Sequence, residues 1–210
     1  MSYIKHIAGK ASQERLEKLI RERLVDGADK AAIDNRIWDL FGEDWSIMFT
    51  DLAGFSRHVA EFGIIHFLQV IYESQKLLVP CIDQHDGIVI KIEGDSMLVI
   101  FRRPEKALAC ALAMQYKTME YNKAKPETEK ILLCIGLGSG KILKIGDTDV
   151  WGAEVNAASK LGEDTAKAGE ILVTETMCQR LSNTPYRFEK LADAPPGASG
   201  AYRLLYDIEL

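Results

Sequence analysis

The sequence predicts an α+β domain with a largely antiparallel sheet covered by helices. Residues 87–92 and 96–101 are apolar runs separated only by 93–95, which include Gly94 and Asp95. This pattern is typical of a β-hairpin, whereas a doubly wound parallel sheet would place a helix between the two strands. The chain has 210 residues with 47% hydrophobic and 27% charged, which excludes a disordered chain. A net charge of -5 argues against a nucleic-acid coat and a polybasic membrane anchor.

The first predicted element is an N-terminal helical arm over residues 1–44. Leu16, Leu19 and Ile20 recur at helix spacing, and Gly27 is expected to divide the arm into two pieces. Two interpretations remain open: a packing helix, and a dimerising or signal-coupling arm through which a regulatory protein partner acts. Residues 45–210 then form the main domain.

The main domain is expected to mix hairpins with helices. Strands are predicted over residues 45–49, 87–92, 96–101, 131–137, 141–145, 171–174, 186–191 and 201–206. Helices are predicted over residues 55–79, 104–121 and 153–167, with a short one ending at 181. The sequence GSG at 138–140 is interpreted as a turn between two strands.

The cysteines and the apolar runs indicate a cytoplasmic protein that does not enter a membrane. The four cysteines are far apart and form no CxxC pair, which favours reduced thiols over a metal centre or disulfides. The first ten residues lack the apolar run of a signal peptide, and the longest apolar stretch, 107–114, is too short to cross a bilayer.

Two aspartates are candidates for binding metal. Asp51 follows an apolar strand, and Asp95 lies in the turn of the predicted hairpin. Hairpin pairing can bring two such strand ends together, and paired carboxylates suit hard divalent cations. The loop 52–56 leads directly into a predicted helix, so its backbone N–H groups and the helix N-terminus form a candidate phosphate cradle.

Three segments resemble the signatures of the class III nucleotidyl cyclase catalytic domain. They are FTDLAGFS at 49–56, KIEGD at 91–95 and DVWGAEVNAASK at 149–160, and they occur in the family's order. The resemblance covers residues 45–206. It implies a ferredoxin-like cyclase fold and a head-to-tail homodimer with shared active sites, which makes 45–210 the catalytic domain.

The resemblance also implies roles for individual residues. Asp51 and Asp95, with Leu52 beside them, match the metal-binding positions for two Mg²⁺ or Mn²⁺ ions, one acting on the ribose 3′-hydroxyl and the other on the triphosphate. The substrate-binding set includes the loop residues Leu52, Ala53, Gly54, Phe55 and Ser56, together with Lys91 and Asp149 on the base from the other protomer. Asn156 is the implied ribose-orienting residue, and Lys160 the residue that stabilises the transition state.

The pair Lys91 and Asp149 favours adenine, because lysine can donate to ring N1 and aspartate can accept from the 6-amino group. For guanylyl members of the family, the resemblance implies Glu and Cys at these two positions instead. We therefore expect an adenylate cyclase that converts ATP to 3′,5′-cyclic AMP and pyrophosphate. Two alternatives remain open: a weak or inactive cyclase-like regulatory module that binds nucleotide, and a cyclase for GTP or a pyrimidine nucleotide.

The sequence departs from the family where positive charge is expected. Lys160 replaces an arginine, and losing the guanidinium fork should cost about 1.5–3 kcal/mol, or roughly tenfold to a hundredfold in rate. Cys134 stands where many members have an arginine directed at the terminal phosphates, and residues 196–197 (Pro-Gly) replace a Lys-Gly pair. Lys141 and Lys144 are the remaining candidates for binding the triphosphate.

Overall fold

The N-terminal arm consists of two helices. A computed structural model of the chain describes residues 2–54, 62–195 and 198–207. Helix α1 (Ser2–Arg23) and helix α2 (Lys30–Phe41) are separated around Gly27, which has φ of +78°, as the sequence predicts. Leu19, Ile33 and Ile37 pack in one cluster with Ile145 of the sheet. The apolar stripe of the arm is therefore buried in part, whereas Ile20 is 43% exposed. The chain enters the first strand directly after α2, and the boundary at residue 45 stays a prediction.

The remaining elements alternate strands and helices along the chain. The strands are β1 (Gly42–Leu52), β2 (Ile88–Glu93), β3 (Ser96–Phe101), β4 (Leu133–Ile145), β5 (Asp149–Trp151), β6 (Ile171–Thr174), β7 (Arg187–Lys190) and β8 (Ala201–Leu205). The helices are α3 (Ile64–Gln84), α4 (Pro104–Asn122), α5 (Ala153–Ser159) and α6 (Glu175–Arg180), with a 3-10 turn at Glu127–Glu129 and a π-helical turn at Lys160–Thr165.

The described residues form an eight-stranded sheet in the order β2-β3-β1-β4-β6-β8-β7, with β5 paired to β4. Within it β4 and β6 run parallel, whereas the other pairs are antiparallel. The predicted α+β class and the hairpin β2-β3 are therefore confirmed. No helix in the described parts of the chain is both long and apolar enough to cross a bilayer.

The two faces of the central strands bury different clusters. On one face Ile135 and Leu137 of β4 join the large cluster beneath α3 and α4. On the other face Ile47 of β1 and Ile142 of β4 pack with Val155 of α5. Because side chains alternate along a strand, α5 lies on the even-numbered face of β4.

The prediction of two strands around a turn at 138–140 is wrong. Strand β4 is continuous over 13 residues, and Gly136, Gly138 and Gly140 share its α5 face. A Cβ atom at Gly136 would lie 2.2 Å from the carbonyl oxygen of Ala158, and one at Gly138 would lie 2.7 Å from that of Glu154. These glycines are present because the helix backbone lies directly on the strand, not because the chain turns there.

Strand β5 was not predicted, because three residues carry little periodicity. Two helix predictions also need correction. The predicted helix 55–79 is observed as α3, which continues to Gln84 with Pro80 inside it; residues 55–61 lie outside the described residues. The predicted helix 153–167 changes after Ser159 into the π-helical turn. The backbone there lies close to β1, since a Cβ atom at Gly162 would be 2.9 Å from the carbonyl oxygen of Phe49.

Candidate active site

The two predicted metal-binding aspartates lie at the same end of neighbouring strands. Asp51 is the penultimate residue of β1, and Asp95 lies in the turn between β2 and β3. Antiparallel pairing of β1 with β3, with Thr50 opposite Met97, brings that turn beside the end of β1. Ser96 then donates a hydrogen bond from its hydroxyl to Oδ1 of Asp51 at 3.2 Å.

The electrostatics of this carboxylate pair suit a cation. Burial, and then the negative charge of Asp95, raise the pKa of Asp51 to about 6. Burial is also the main cause of the raised pKa of Asp95, with a further contribution from Glu163. A divalent cation would offset this accumulation of negative charge, and carboxylate oxygens are the ligands that Mg²⁺ prefers.

Asp51 and Asp95 alone would fill only part of the coordination shell of an Mg²⁺ ion. Among the described residues, no group of three or more His, Cys, Asp or Glu side chains converges as a metal site. Mg²⁺ keeps octahedral coordination and is commonly bound by one or two carboxylates together with phosphate oxygens and water. Asp51 and Asp95 fit this arrangement, with a nucleotide triphosphate supplying further oxygens.

A cavity of about 360 Å³ gathers three of the other predicted site residues. Its lining includes Lys91 from β2, Asp149 from β5 and Asn156 from α5. The ammonium of Lys91 is 2.9 Å from Oε1 of Glu93. This contact is the main cause of the raised pKa of Lys91, and the charge of Asp149 makes a smaller contribution. The predicted base-reading pair and the predicted ribose-orienting residue therefore line the same cavity.

Lys160 does not line this cavity. It begins the π-helical turn after α5, and its ammonium lies 2.6 Å from Oδ2 of Asp164. That contact raises the pKa of Lys160. The expected helical spacing from Asn156 holds up to the start of the turn, but the lysine is engaged by a neighbouring carboxylate rather than directed into the cavity.

The predicted phosphate cradle is reduced to fewer backbone donors. The N–H of Leu52 donates to the carboxylate of Asp51, and its side chain is buried in the core. The N–H of Ala53 donates to the carbonyl oxygen of Leu132 at 2.8 Å, which removes it from the cradle. Gly54 turns the chain with φ of +90°. The rest of the predicted loop, Phe55 and Ser56, lies outside the described residues.

Cys134, which stands where the resemblance implies an arginine directed at the terminal phosphates, supplies no positive charge. Cys134 lies opposite Asp51 in the β1-β4 ladder and is 2% exposed. Burial, together with the charge of Asp51, raises the pKa of its thiol to about 12, so it stays neutral. Pro196 and Gly197 lie outside the described residues.

The two substitute cations proposed from the sequence point elsewhere. The ammonium of Lys141 is 4.9 Å from the centre of the Trp38 ring in the arm. Lys144 donates to the carbonyl oxygen of Gly146 at 2.5 Å and lies 2.8 Å from Oδ1 of Asp147. Both lysines therefore already have partners away from Asp51.

Sequence reasoning missed Glu163, which lines the cavity and adds negative charge near both aspartates. It belongs to the π-helical turn, and helical periodicity would have placed it differently. No motif in the sequence marks it. Ser96 was also missed, although its position directly after Asp95 could have indicated it.

Comparisons with known proteins identify the family of this chain. Residues 42–196 match the adenylate and guanylate cyclase catalytic domain family. An adenylate cyclase of Mycobacterium tuberculosis is 29% identical over 184 residues, which are 81% of this chain and 38% of that protein. The serine/threonine-protein kinase pkn2 of Myxococcus xanthus is 29% identical over 135 residues, which are 64% of this chain and 16% of that protein. The chain thus spans about two fifths or less of the length of these curated relatives.

Solved structures share the fold. An adenylate/guanylate cyclase/hydrolase from Silicibacter pomeroyi is 26% identical with a TM-score of 0.67, covering 80% of this chain and 99% of that chain. The adenylyl cyclase CyaB from P. aeruginosa is 19% identical with a TM-score of 0.64, covering 80% and 96% respectively, and at that identity it supports the fold alone. With the family match over most of the chain, this protein belongs to the adenylate and guanylate cyclase catalytic domain family.

Proposed function

We propose that this protein is an adenylate cyclase that converts ATP to 3′,5′-cyclic AMP and pyrophosphate. The observation that carries the proposal is the single cavity that Lys91, Asp149 and Asn156 line together. The lysine and aspartate offer a donor for adenine N1 and an acceptor for the 6-amino group. The relatives named adenylate cyclase support the same choice of base.

Different residues would have different roles in this reaction. The ribose 3′-hydroxyl releases its proton, and its oxygen forms a bond to the α-phosphorus. The bond from the α-phosphorus to the oxygen that bridges to the β-phosphorus breaks, and pyrophosphate leaves with that oxygen. Asp51 and Asp95 would hold two Mg²⁺ or Mn²⁺ ions, which supply Lewis acidity toward the 3′ oxygen and the triphosphate when bound. Asn156 orients the ribose, and Lys160 contributes positive charge near the reacting phosphate once it leaves Asp164.

The proposed assembly is a homodimer in which each site takes its metal ligands from one protomer and Lys91 and Asp149 from the other. Exposed apolar side chains support an interface on α3: Ile65 is 77% exposed, Leu68 50% and Tyr72 70%, and their spacing places them on one helical face. Ile92 on the neighbouring β2 is also exposed.

Complementation tests this shared site directly. Asp51→Ala and Lys91→Ala are each expected to inactivate a homodimer. Co-expressed, they form heterodimers in which one site carries both defects and the other carries none, so activity should return to about a quarter of wild type. Asp39→Ala, an exposed aspartate of the arm, is the control and should leave activity unchanged. No recovery in a verified heterodimer would contradict the shared site.

A second candidate is a cyclase-like module that binds nucleotide with little turnover. The neutral, buried Cys134 and the engagement of Lys160 by Asp164 favour it. The two aspartates favour catalysis, because a pair of partly buried carboxylates in mutual repulsion is unfavourable for folding unless it binds a cation. Tight ATP binding without product would select the second candidate.

A further inference from the structure

The carboxylate of Glu154 points from the first turn of α5 onto the sheet. The backbone N–H of Ser139 in β4 donates to its Oε2 at 3.0 Å. The hydroxyl of Thr174, at the end of β6, donates to the same oxygen at 2.6 Å. One side-chain oxygen thus joins α5 to two strands.

The sheet leaves a position for this oxygen. Strand β6 pairs with β4 only from Ile135 to Leu137, and β6 ends at Thr174. In the described chain, Ser139 therefore has no strand partner on that side, and its N–H would lack an acceptor within the ladder. A buried N–H without an acceptor is unfavourable by about 1–3 kcal/mol. Glu154 provides the acceptor that β6 is too short to supply.

The glycines of β4 make room for this side chain. A Cβ atom at Gly138 would lie 3.1 Å from Oε2 of Glu154, and one at Gly140 would lie 3.0 Å from its Cγ. The nearby guanidinium of Arg180 donates to the hydroxyl of Ser139 at 3.1 Å. The hydrogen bond with Asp44 is the main cause of the raised pKa of Arg180, and the charge of Glu154 adds to it. The carboxylate is therefore both accommodated and partly balanced in charge.

Two residues after Glu154, the same helix presents Asn156 to the cavity. Helix α5 has only seven residues and continues into a π-helical turn, so its own hydrogen bonds hold it weakly. Its position depends on contacts with the sheet, and Glu154 supplies the polar ones given above.

We propose that Glu154 is a positioning residue for the cyclase reaction: it fixes α5 against β4 and β6 and so sets where Asn156 meets the ribose. This inference rests on the proposed function for its catalytic consequence. Its structural part, the attachment of α5 to the sheet, is independent of any activity.

The test compares Glu154→Gln with Glu154→Ala. The carbonyl oxygen of glutamine can accept both hydrogen bonds, so kcat should stay within about threefold of wild type. Alanine leaves both donors without an acceptor, and kcat should fall about tenfold to a hundredfold. The KM for ATP should change less than about threefold, because Lys91 and Asp149 lie on other elements.

The matched control is Leu137→Ala, which removes core packing from the opposite face of the same strand. It should lower stability but keep kcat, which separates loss of position from loss of stability. A Glu154→Ala enzyme with wild-type kcat, or a Glu154→Gln enzyme as slow as Glu154→Ala, would overturn the proposal.

Amide hydrogen exchange at Ser139 gives a second measurement that needs no turnover. Exchange at Ser139 and along α5 should accelerate in Glu154→Ala and stay near wild type in Glu154→Gln. Unchanged protection in the alanine variant would show that Glu154 does not hold the helix. If the wild-type protein makes no cyclic nucleotide, the proposed function fails, while this measurement still decides whether Glu154 attaches α5.

Discussion

Gly136→Ala tests whether the glycines of β4 that face α5 determine the position of that helix. A Cβ atom there would lie 2.2 Å from the carbonyl oxygen of Ala158 and 2.4 Å from the backbone nitrogen of Gly162. Both neighbours are backbone atoms, so no side chain can rotate away. Reaching an ordinary contact distance of 3.4 Å from Ala158 requires a shift of about 1.2 Å, the difference between 3.4 and 2.2 Å.

The expected effects follow from this displacement. Inserting a methyl group into a packed contact destabilises a protein by about 1–3 kcal/mol. A misplacement of about 1 Å in a group that positions substrate can lower the rate about a hundredfold. Since α5 carries Asn156, we expect Gly136→Ala to lose both stability and turnover.

Urea unfolding and initial cyclase rates measure the two effects separately. Leu137→Ala is the matched control, because it leaves a cavity on the opposite face and should cost about 2–5 kcal/mol while turnover of the folded protein is kept. If Gly136→Ala keeps wild-type stability and rate, α5 does not depend on the bare strand surface, and the packing argument is wrong.

Three further substitutions test the site. Asp51→Asn should lower cyclase activity at least about a thousandfold. Urea unfolding should show unchanged or higher stability, because asparagine removes a partly buried charge beside Asp95. A clearly destabilised variant would contradict that electrostatic argument. Lys91→Glu combined with Asp149→Cys should shift the ratio of kcat/KM for GTP over ATP upward by at least about tenfold, measured with each nucleotide alone, and an unchanged ratio would remove these residues from base recognition. Lys160→Arg should raise kcat about tenfold in a steady-state assay by restoring the guanidinium fork; no change would mean that the side chain held by Asp164 takes no part in the reaction.

The fold could be predicted where one short segment determines its own structure. The hairpin of β2 and β3 is fixed by two apolar runs and the turn at Gly94, which has φ of +59°. The three signature segments contain Asp51, Asp95 and Asp149. The structure has Asp51 near the end of β1 and Asp95 in the turn after β2, as predicted, whereas Asp149 begins the unpredicted strand β5. Their roles in binding metal and base stay predictions that the experiments above address.

What could not be predicted depends on contacts between distant parts of the chain. Gly138 and Gly140 indicate a turn when only the local sequence is considered, but their strand continues because α5 lies on it. The N–H of Ala53 was assigned to phosphate, yet Leu132, far along the chain, provides its acceptor. Lys160 keeps the expected helical spacing from Asn156, but its ammonium contacts Asp164 of the π-helical turn, which helical periodicity does not indicate.

A product assay with the purified protein and Mn²⁺ tests the proposed adenylate cyclase activity most directly. ATP, GTP, CTP and UTP are supplied separately, and the products are identified by mass spectrometry. We expect 3′,5′-cyclic AMP and pyrophosphate in equal amounts from ATP, and loss of both products in Asp51→Ala and Asp95→Ala. A different cyclic nucleotide as the main product would contradict the base assignment, and no cyclic product from any of the four would contradict the cyclase activity itself.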